Sequence, residues 1–484
     1  MTHLLALDIG TSSVRAAIYD GQGRRIEKSV VKNERQLDVT EDGGAEIDAE
    51  KALSQVVEAV EGVLAKTPAL AEKVEYVATS SFWHSLVGVD SKGKAVTPVY
   101  GWADTRSAKY VADLRENFGE DATHNRTGAR FHSSYWTAKL LWLKNEKPKV
   151  FAKAQYWLSF SDFLAFRFFG EVVTSVSMAS GTGIFDIKKC VWDKKLVSFL
   201  HLTEKNLPVL AEDNQTFQLN KTFAARWKPL ANAKWLLAIG DGAANNVGAN
   251  CTTKDKAALM IGTSGAMRVA YEGEPPAKLP NGLWCYRIDR QRLLVGGALS
   301  DGGGLYGWLK ENFRLSEDDD HTEEEIAKRA PDEHGLTFLP FLAGERSTGY
   351  HADARGAVLG LRSASDFIDI VQAALESVAY RFAEIYDQLN TIAEIKEIIA
   401  SGGALRESPV WTQIISDVLN QKMTLPDVRE ASSQGVVNLA LEIAGAKANV
   451  KKEKQTAFKP NAKKHKIYKQ ARERHEKFYK LLME

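Results

Sequence analysis

Cysteine is nearly absent. Cys190, Cys251 and Cys285 are three in 484 residues, odd in number, widely spaced, with no CxxC and no paired His. That excludes a disulfide framework and a cysteine-based zinc site, and it suits a reducing compartment. Excess charge is absent too: 63 Lys+Arg face 62 Asp+Glu, a formal +1, so neither a nucleic-acid nor a membrane partner is expected. The one basic stretch, KKEKQTAFKPNAKKHKIYKQARERHEKFYK, is broken by Glu453, Glu473 and Glu476. It also carries Tyr468, Phe478, Tyr479 and Leu482, so it reads as a terminal helix docked by its apolar face rather than a polyanion patch. No apolar run approaches the roughly 18 residues of a membrane span. The start, MTHLLALDIG, has Asp8 inside its apolar stretch and no basic lead. No secretory leader is expected, and the protein is expected in the cytoplasm.

What remains is the composition of a globular protein, 44% hydrophobic and 26% charged. The chain is too long for one ordinary core, so two large domains are expected. Apolar runs that read as strands alternate with helical patterns. Residues 3–8 form a strand, a turn follows, and VRAAIYD forms the next. DAEKALSQVVEAVEGVLAK repeats Leu53, Val56, Val57, Val60 and Leu64 at helical spacing behind a capping Asp48. VEYVATSSF is a strand, KLLWLKNE and SFSDFLAFRFFG are helices, and WLLAIGDGAANNVGAN is a strand running through a glycine turn into a helix. NGLWCYRID, QRLLVGGALSDGGG and EIKEIIASGGA read as later strands. SDFIDIVQAALESVAYRFAEIYDQLN and SPVWTQIISDVLNQ are helices, the latter with Pro409 at its start. The alternation predicts an α/β protein with mixed sheets.

One short phrase recurs. LLALDIGTSS near the start returns as AALMIGTSGA past the middle, each time between two strands. The repeat predicts two similar halves, 1–245 and 246–484. A Gly-Thr-Ser bend exposes backbone amides and hydroxyls that bind phosphate oxygens, and Gly admits close approach. Singly each bend would pass for a polar hairpin turn, but as a pair they favour a phosphate ligand. Asp8, at the end of the first strand, is placed to hold Mg²⁺. Asp241, between glycines at another strand end, is placed to accept the proton of an attacking hydroxyl, or simply to cap the helix that follows.

GAVLGLRSASDFIDIVQAALE resembles a long signature of the FGGY family of carbohydrate kinases, through Gly356, Val358, Gly360, Leu361, Asp369, Ala373, Ala374, Leu375 and Glu376. SYWTAKLLWLKNE resembles a second signature through Ser134, Lys139, Leu140, Trp142, Leu143, Lys144 and Asn145. DIGTSSVR, GDGAANNVGA, IGTSGA and SGGALRES extend the likeness along the whole chain. The resemblance implies an actin-like ATPase fold of two ribonuclease-H-like domains flanking a catalytic cleft, with sugar mainly on the first and ATP on the second. Carried over, it implies Asp241 as catalytic base and Asp8 as the magnesium-side carboxylate. Thr11, Ser12 and Arg15 would meet the transferring phosphate, and Gly262 and Thr263 the others. Gly304, Trp308, Gly402, Gly403 and Ala404 would border adenine and ribose.

Within the family the local likeness is strongest to bacterial members that phosphorylate gluconate: SSFWHSLVGVDSKGK, GWADTRSAKY, RTGARFHSSYW and LPFLAGERSTGYHADARG carry it. The implied sugar site is Trp83, His84, Trp102, Asp104 and Arg106, with Arg106 as the carboxylate partner and Arg130 and His132 as secondary candidates. Trp83, Trp136 and Ser347-Thr348 depart from the family pattern, and a xylulose, glycerol or erythritol substrate is the alternative. An actin-like chaperone would need an added substrate-binding domain. A silent sugar sensor is opposed by the intact Asp8 and Asp241. Dimers are frequent among relatives, so a homodimer is an open expectation.

Overall fold

LLALDI and VRAAIYD lack a helical period, and both form strands. In the computed structural model, which describes residues 2–313, 319–427, 430–449 and 454–483, β1 (His3–Ile9) turns antiparallel into β2 (Ser13–Asp20), and β2 pairs with β3 (Val31–Glu34). Helix α1 (Ala49–Lys66) follows. Its Asp48 cap accepts from the Lys51 amide at 2.7 Å, supplying one of the donors a helix start leaves unmatched. Leu53, Val56, Val57 and Val60 are buried under β2 and β3, and Leu64 lies at the margin. β4 (Val74–Ser81) then runs parallel to β1.

Helix α2 (Trp136–Glu146) lies outside this sheet. β5 (Thr216–Phe217) closes the edge, while β6 (Lys234–Leu236) and β7 (Ile239–Gly240) pair with successive parts of β4 as one interrupted strand. β7 passes directly into α3 (Asp241–Gly248).

The second half repeats the plan. β8 (Lys256–Ile261) and β9 (Gly265–Glu272) are antiparallel, β10 (Trp284–Arg287) and β11 (Arg292–Leu299) extend that side, and α4 (Gly303–Phe313) follows. Helices α5 (Phe367–Leu389) and α6 (Pro409–Leu419) pack together, separated in sequence by β12 (Glu397–Ser401), which is parallel to β8. β13 (Met423–Pro426) is parallel to β12, and after α7 (Ala431–Ile443) β14 (Gln455–Phe458) closes the edge. The central orders are β3-β2-β1-β4-β6 and β11-β9-β8-β12-β13. Each is three antiparallel strands followed by two parallel ones, as expected of two ribonuclease-H-like halves.

Two features join the halves. Helix α7 comes from late in the chain, yet its Val436, Val437, Ala440 and Leu441 pack on Leu4, Ala6, Ala78 and Leu236 of the first sheet. It also crosses α3 backbone to backbone: a Cβ on Gly435 would stand 1.8 Å from the Ala244 carbonyl oxygen, and one on Gly248 1.8 Å from that of Ala431. The C-terminal helix α8 (Ala462–Met483) buries Tyr468, Ala471, His475 and Tyr479, so most of the basic stretch is a docked helix and short strand. Tyr468 and Tyr479 dock as expected and Phe478 lies at the margin, but Leu482 is 50% exposed, off the buried face. Glu453 lies outside the described residues. No helix among the described residues is long and apolar enough to cross a membrane.

Candidate active site

Parallel strands end on one side of a sheet, and ligands gather there. The register sets Asp8 of β1 opposite Ser80 of β4, and Gly240 of β7 opposite Ser81. Asp8 and Asp241 therefore flank the same strand end. Asp8 accepts from Ser80 Oγ at 2.6 Å and lies 3.6 Å from Arg15 Nη1. Burial nevertheless raises its pKa, as it does that of Asp241. For Asp241, nearby Arg268 and the Gly242 amide, 2.8 Å from Oδ1, oppose that rise, while Asp8 adds to it. Ser81 Oγ, on the strand between, is buried without a partner among the described residues. Two desolvated carboxylates beside one strand end offer hard oxygen ligands of the kind that suit a divalent cation such as Mg²⁺.

The two bends differ in length. Ile9 pairs with Val14, leaving Gly10 to Ser13 between them, whereas Ile261 pairs with Gly265, leaving Gly262 to Ser264. The Thr11, Ser12, Thr263 and Ser264 amides donate to no described group, the condition for an anion-binding nest. Each bend is braced differently. Arg35, stacked on Phe82 and Phe160, donates from Nε to the Gly10 carbonyl at 2.9 Å. The second bend is held by the approach to α4: Gly303 donates to Gly262 O at 2.8 Å and Gly304 to Thr263 O at 2.9 Å.

There is no room for side chains at that crossing. A Cβ on Gly303 would meet Gly262 O at 2.6 Å and the Ala404 methyl at 2.9 Å, and one on Gly402 (φ +102°) would meet Ile261 O at 2.1 Å. Gly262, Thr263, Gly304, Gly402 and Ala404 are thus brought together, with exposed Gly403 beside them. Trp308, one turn along α4, is 40% exposed with Phe313 at its edge. Arg15 faces Asp8 and, at 3.9 Å, Glu430 from the second half.

The sugar-side residues separate into three groups. Trp83 is buried behind Asp241: it donates to Ser177 O at 3.0 Å, its ring meets that of Tyr286 at 5.0 Å, and a Cβ on Gly240 would stand 1.8 Å from it. The glycine before Asp241 is there to admit this indole. His84 and His132 are buried and held neutral by desolvation, His132 with its pKa lowered to about 3. His84 Nδ1 lies 2.6 Å from Gly181 O, and a carbonyl only accepts, so Nδ1 carries the proton and Nε2 is left as an acceptor.

Asp104 and Arg106 are bound to each other. Arg106 Nε donates to Asp104 Oδ1 at 3.1 Å, its Nη2 also pairs with Glu46, and its guanidinium stacks on Trp142 and Tyr100. Arg130 is paired with Glu120 at 2.9 Å and Asp121 at 3.1 Å. Each of these guanidinium charges is thus already matched by two carboxylates of the fold, Arg106 by Asp104 and Glu46 and Arg130 by Glu120 and Asp121. Trp136 is fully buried, donating to Ser85 O at 2.8 Å and stacked on Trp192, so it supports the His84 segment from the core.

Residues that motif reading missed complete the site. Arg268 of β9 is buried beside Gly242, its Nε 3.0 Å from where a Cβ there would stand, and its Nη1 has no partner among the described residues. Tyr286 of β10 meets Tyr135 hydroxyl to hydroxyl at 2.6 Å across the two halves. Arg346 sits over Trp102 at 5.4 Å. Arg268 lies in MIGTSGAMR, five residues after Thr263, and Arg346 in LPFLAGERSTGYHADARG, so both sat in segments already singled out, whereas Tyr286 was marked only by its strand.

The descriptions of two family models divide the chain between them: "FGGY family of carbohydrate kinases, N-terminal domain" matches residues 3–248, and the C-terminal domain of the same family matches residues 257–442. Gluconokinase of Bacillus subtilis (strain 168) is 27% identical over 457 residues, covering 92% of this chain and 88% of that protein. Xylulose kinase of Staphylococcus xylosus is 26% identical over 452 residues, covering 91% and 90%. Among solved structures, gluconate kinase from Lactobacillus acidophilus has a TM-score of 0.89 at 26% identity, covering 99% of this chain and 98% of that one. Ligand-bound xylulose kinase from the same organism has the same score and identity, covering 100% and 98%.

Proposed function

The chain belongs to the FGGY family of carbohydrate kinases, and from that premise we propose that it transfers the γ-phosphoryl group of ATP to a terminal primary hydroxyl of a sugar acid, D-gluconate foremost. The observation that carries the reaction is Asp241: a half-buried carboxylate with a raised pKa at a strand end, facing Asp8 and Arg268. In this reading residues 1–245 bind the sugar and 246–484 the nucleotide. Asp241 takes the hydroxyl proton, and His84 Nε2 accepts a second sugar hydroxyl. The amides of the two Gly-Thr bends hold phosphate oxygens, while the Gly304, Gly402–Ala404 and Trp308 region borders the nucleoside. Asp8 is the side chain placed to hold Mg²⁺, which when bound would offset phosphate charge. The gluconokinase relatives and the GWADTRSAKY and LPFLAGERSTGYHADARG segments support the sugar acid.

A coupled ADP-release assay over gluconate, xylulose, ribulose, glycerol and erythritol tests the assignment. Gluconate should give the highest kcat/KM, with little ADP released when no sugar is present. Xylulose is the second reading, favoured by the similar identity to xylulose kinases; turnover of xylulose but no sugar acid would establish it instead.

The pH profile carries a second prediction. A base works only when deprotonated, so kcat falls as pH falls through the raised pKa of Asp241, above the ordinary carboxylate range. Arg268 is the strongest influence lowering that pKa. Arg268→Gln should therefore move the acid limb of kcat to higher pH, and an unmoved limb would separate Arg268 from the base.

A further inference from the structure

One cation on the sugar side, Arg346, has no ion-pair partner among the described residues. The Arg346 guanidinium lies 5.4 Å over the Trp102 ring and within the electrostatic reach of His84, His132 and Asp241. No carboxylate among the described residues comes within ion-pair distance of it. Its immediate neighbours offer no substitute, because burial keeps His84 and His132 neutral and raises the pKa of Tyr135 and Tyr350. Arg106 is matched by Asp104 and Glu46, Arg130 by Glu120 and Asp121, and Arg115 by Glu120, while Arg355 spends Nη1 on the Asp353 and Ala354 carbonyls at 2.9 Å.

The backbone holds Arg346 in this position deliberately. Glu345 and Ser347 on either side are buried. Glu345 pairs with Arg381 and accepts from Tyr479 Oη at 2.7 Å, and Ser347 exchanges bonds with Ala298 at the end of β11, 2.9 and 3.0 Å. Between two anchored neighbours, the Arg346 side chain points outward into a cleft of about 740 Å³ that Trp102, His132, Ser134 and Tyr350 also line. None of the Arg346 side-chain donors is used by a described residue, which leaves the guanidinium fork for a planar two-oxygen acceptor.

We propose that Arg346 binds the carboxylate of the sugar-acid substrate and is its specificity-determining residue. This rests on the reading above that the acceptor is a sugar acid. Because Arg346 comes from the second half and Trp102 from the first, an acid bound there would also draw the two halves together over Asp241.

The test compares gluconate with its neutral amide, gluconamide, in the parent protein, Arg346→Gln and Arg346→Lys. The readout is the ratio of the two kcat/KM values, or of inhibition constants where the amide does not turn over. The parent should favour gluconate by about 100-fold, the scale of charge-assisted hydrogen bonds. In Arg346→Gln the ratio should collapse toward one through loss on gluconate alone, and Arg346→Lys should recover part of it. A ratio preserved in Arg346→Gln, with both compounds weakened alike, overturns the proposal: the arginine would then act on phosphate or on the fold. Failure of the substrate reading looks different, since the parent itself would then use neutral sugars and no sugar acid.

Discussion

Asp241→Asn should lower kcat by about 10²–10⁴-fold, the contribution of a positioned general base, while ATP binding stays near that of the parent. The substitution is nearly isosteric. Asn Oδ1 can still accept from the Gly242 amide at 2.8 Å, so the strand end and the start of α3 keep their geometry and only the proton acceptor is lost. A second readout separates this from damage to the fold. Burial raises the pKa of Asp241, so the folded protein holds the charged form at a cost that a neutral amide avoids. The melting temperature should rise by about 2–4 °C, as a gain near 1 kcal/mol would give in a domain of this size. Near-normal kcat would exclude the base role, and lost activity with a lower Tm would point to misfolding instead.

Gly435→Ala should be among the most damaging single methyls in the molecule outside the site. Its Cβ would stand 1.8 Å from the carbonyl oxygen of Ala244 and 2.7 Å from the carbonyl carbon. The obstacle is helix backbone, which has no rotamer to change, so α3 and α7 must move apart. About 3 kcal/mol of destabilisation is expected, the upper end of what overpacking costs. Function should suffer as well, because Asp241 is the first residue of α3 and a shifted helix carries it away from Arg268. Gly119→Ala is the control: nothing lies within 4 Å of a Cβ there and its φ is −64°. Thermal unfolding and kcat/KM of both variants decide the matter; equal behaviour would mean the crossing tolerates separation.

The parts of this protein that were legible in the sequence are those whose cause is local. The Asp48 cap, the stripe of Leu53 to Val60, Pro409 at the first position of its helix and the strands around each Gly-Thr bend all follow from residues a few positions apart. The repeat of Ile-Gly-Thr-Ser likewise foretold two sheets of one plan, though not that the second bend is a residue shorter and braced by α4. Trp83 and Trp136 were noticed as departures near the sugar side; the first proved to be packing behind Asp241 and the second a core residue under His84.

What the chain alone determined, then, was the two-part α/β plan and the carboxylates and bends proposed to do the chemistry, because spacing and strand endings encode them. Which charges are neutralised was decided only by folding. Arg106, Arg130, Arg268 and Arg346 are the same side chain to a reader of sequence, and only tertiary contact paired the first two with carboxylates and set the other two within electrostatic reach of Asp241. An ion pair depends on distances across elements that sequence separation does not specify, so the residue free to meet a ligand is known only once every other partner has been placed.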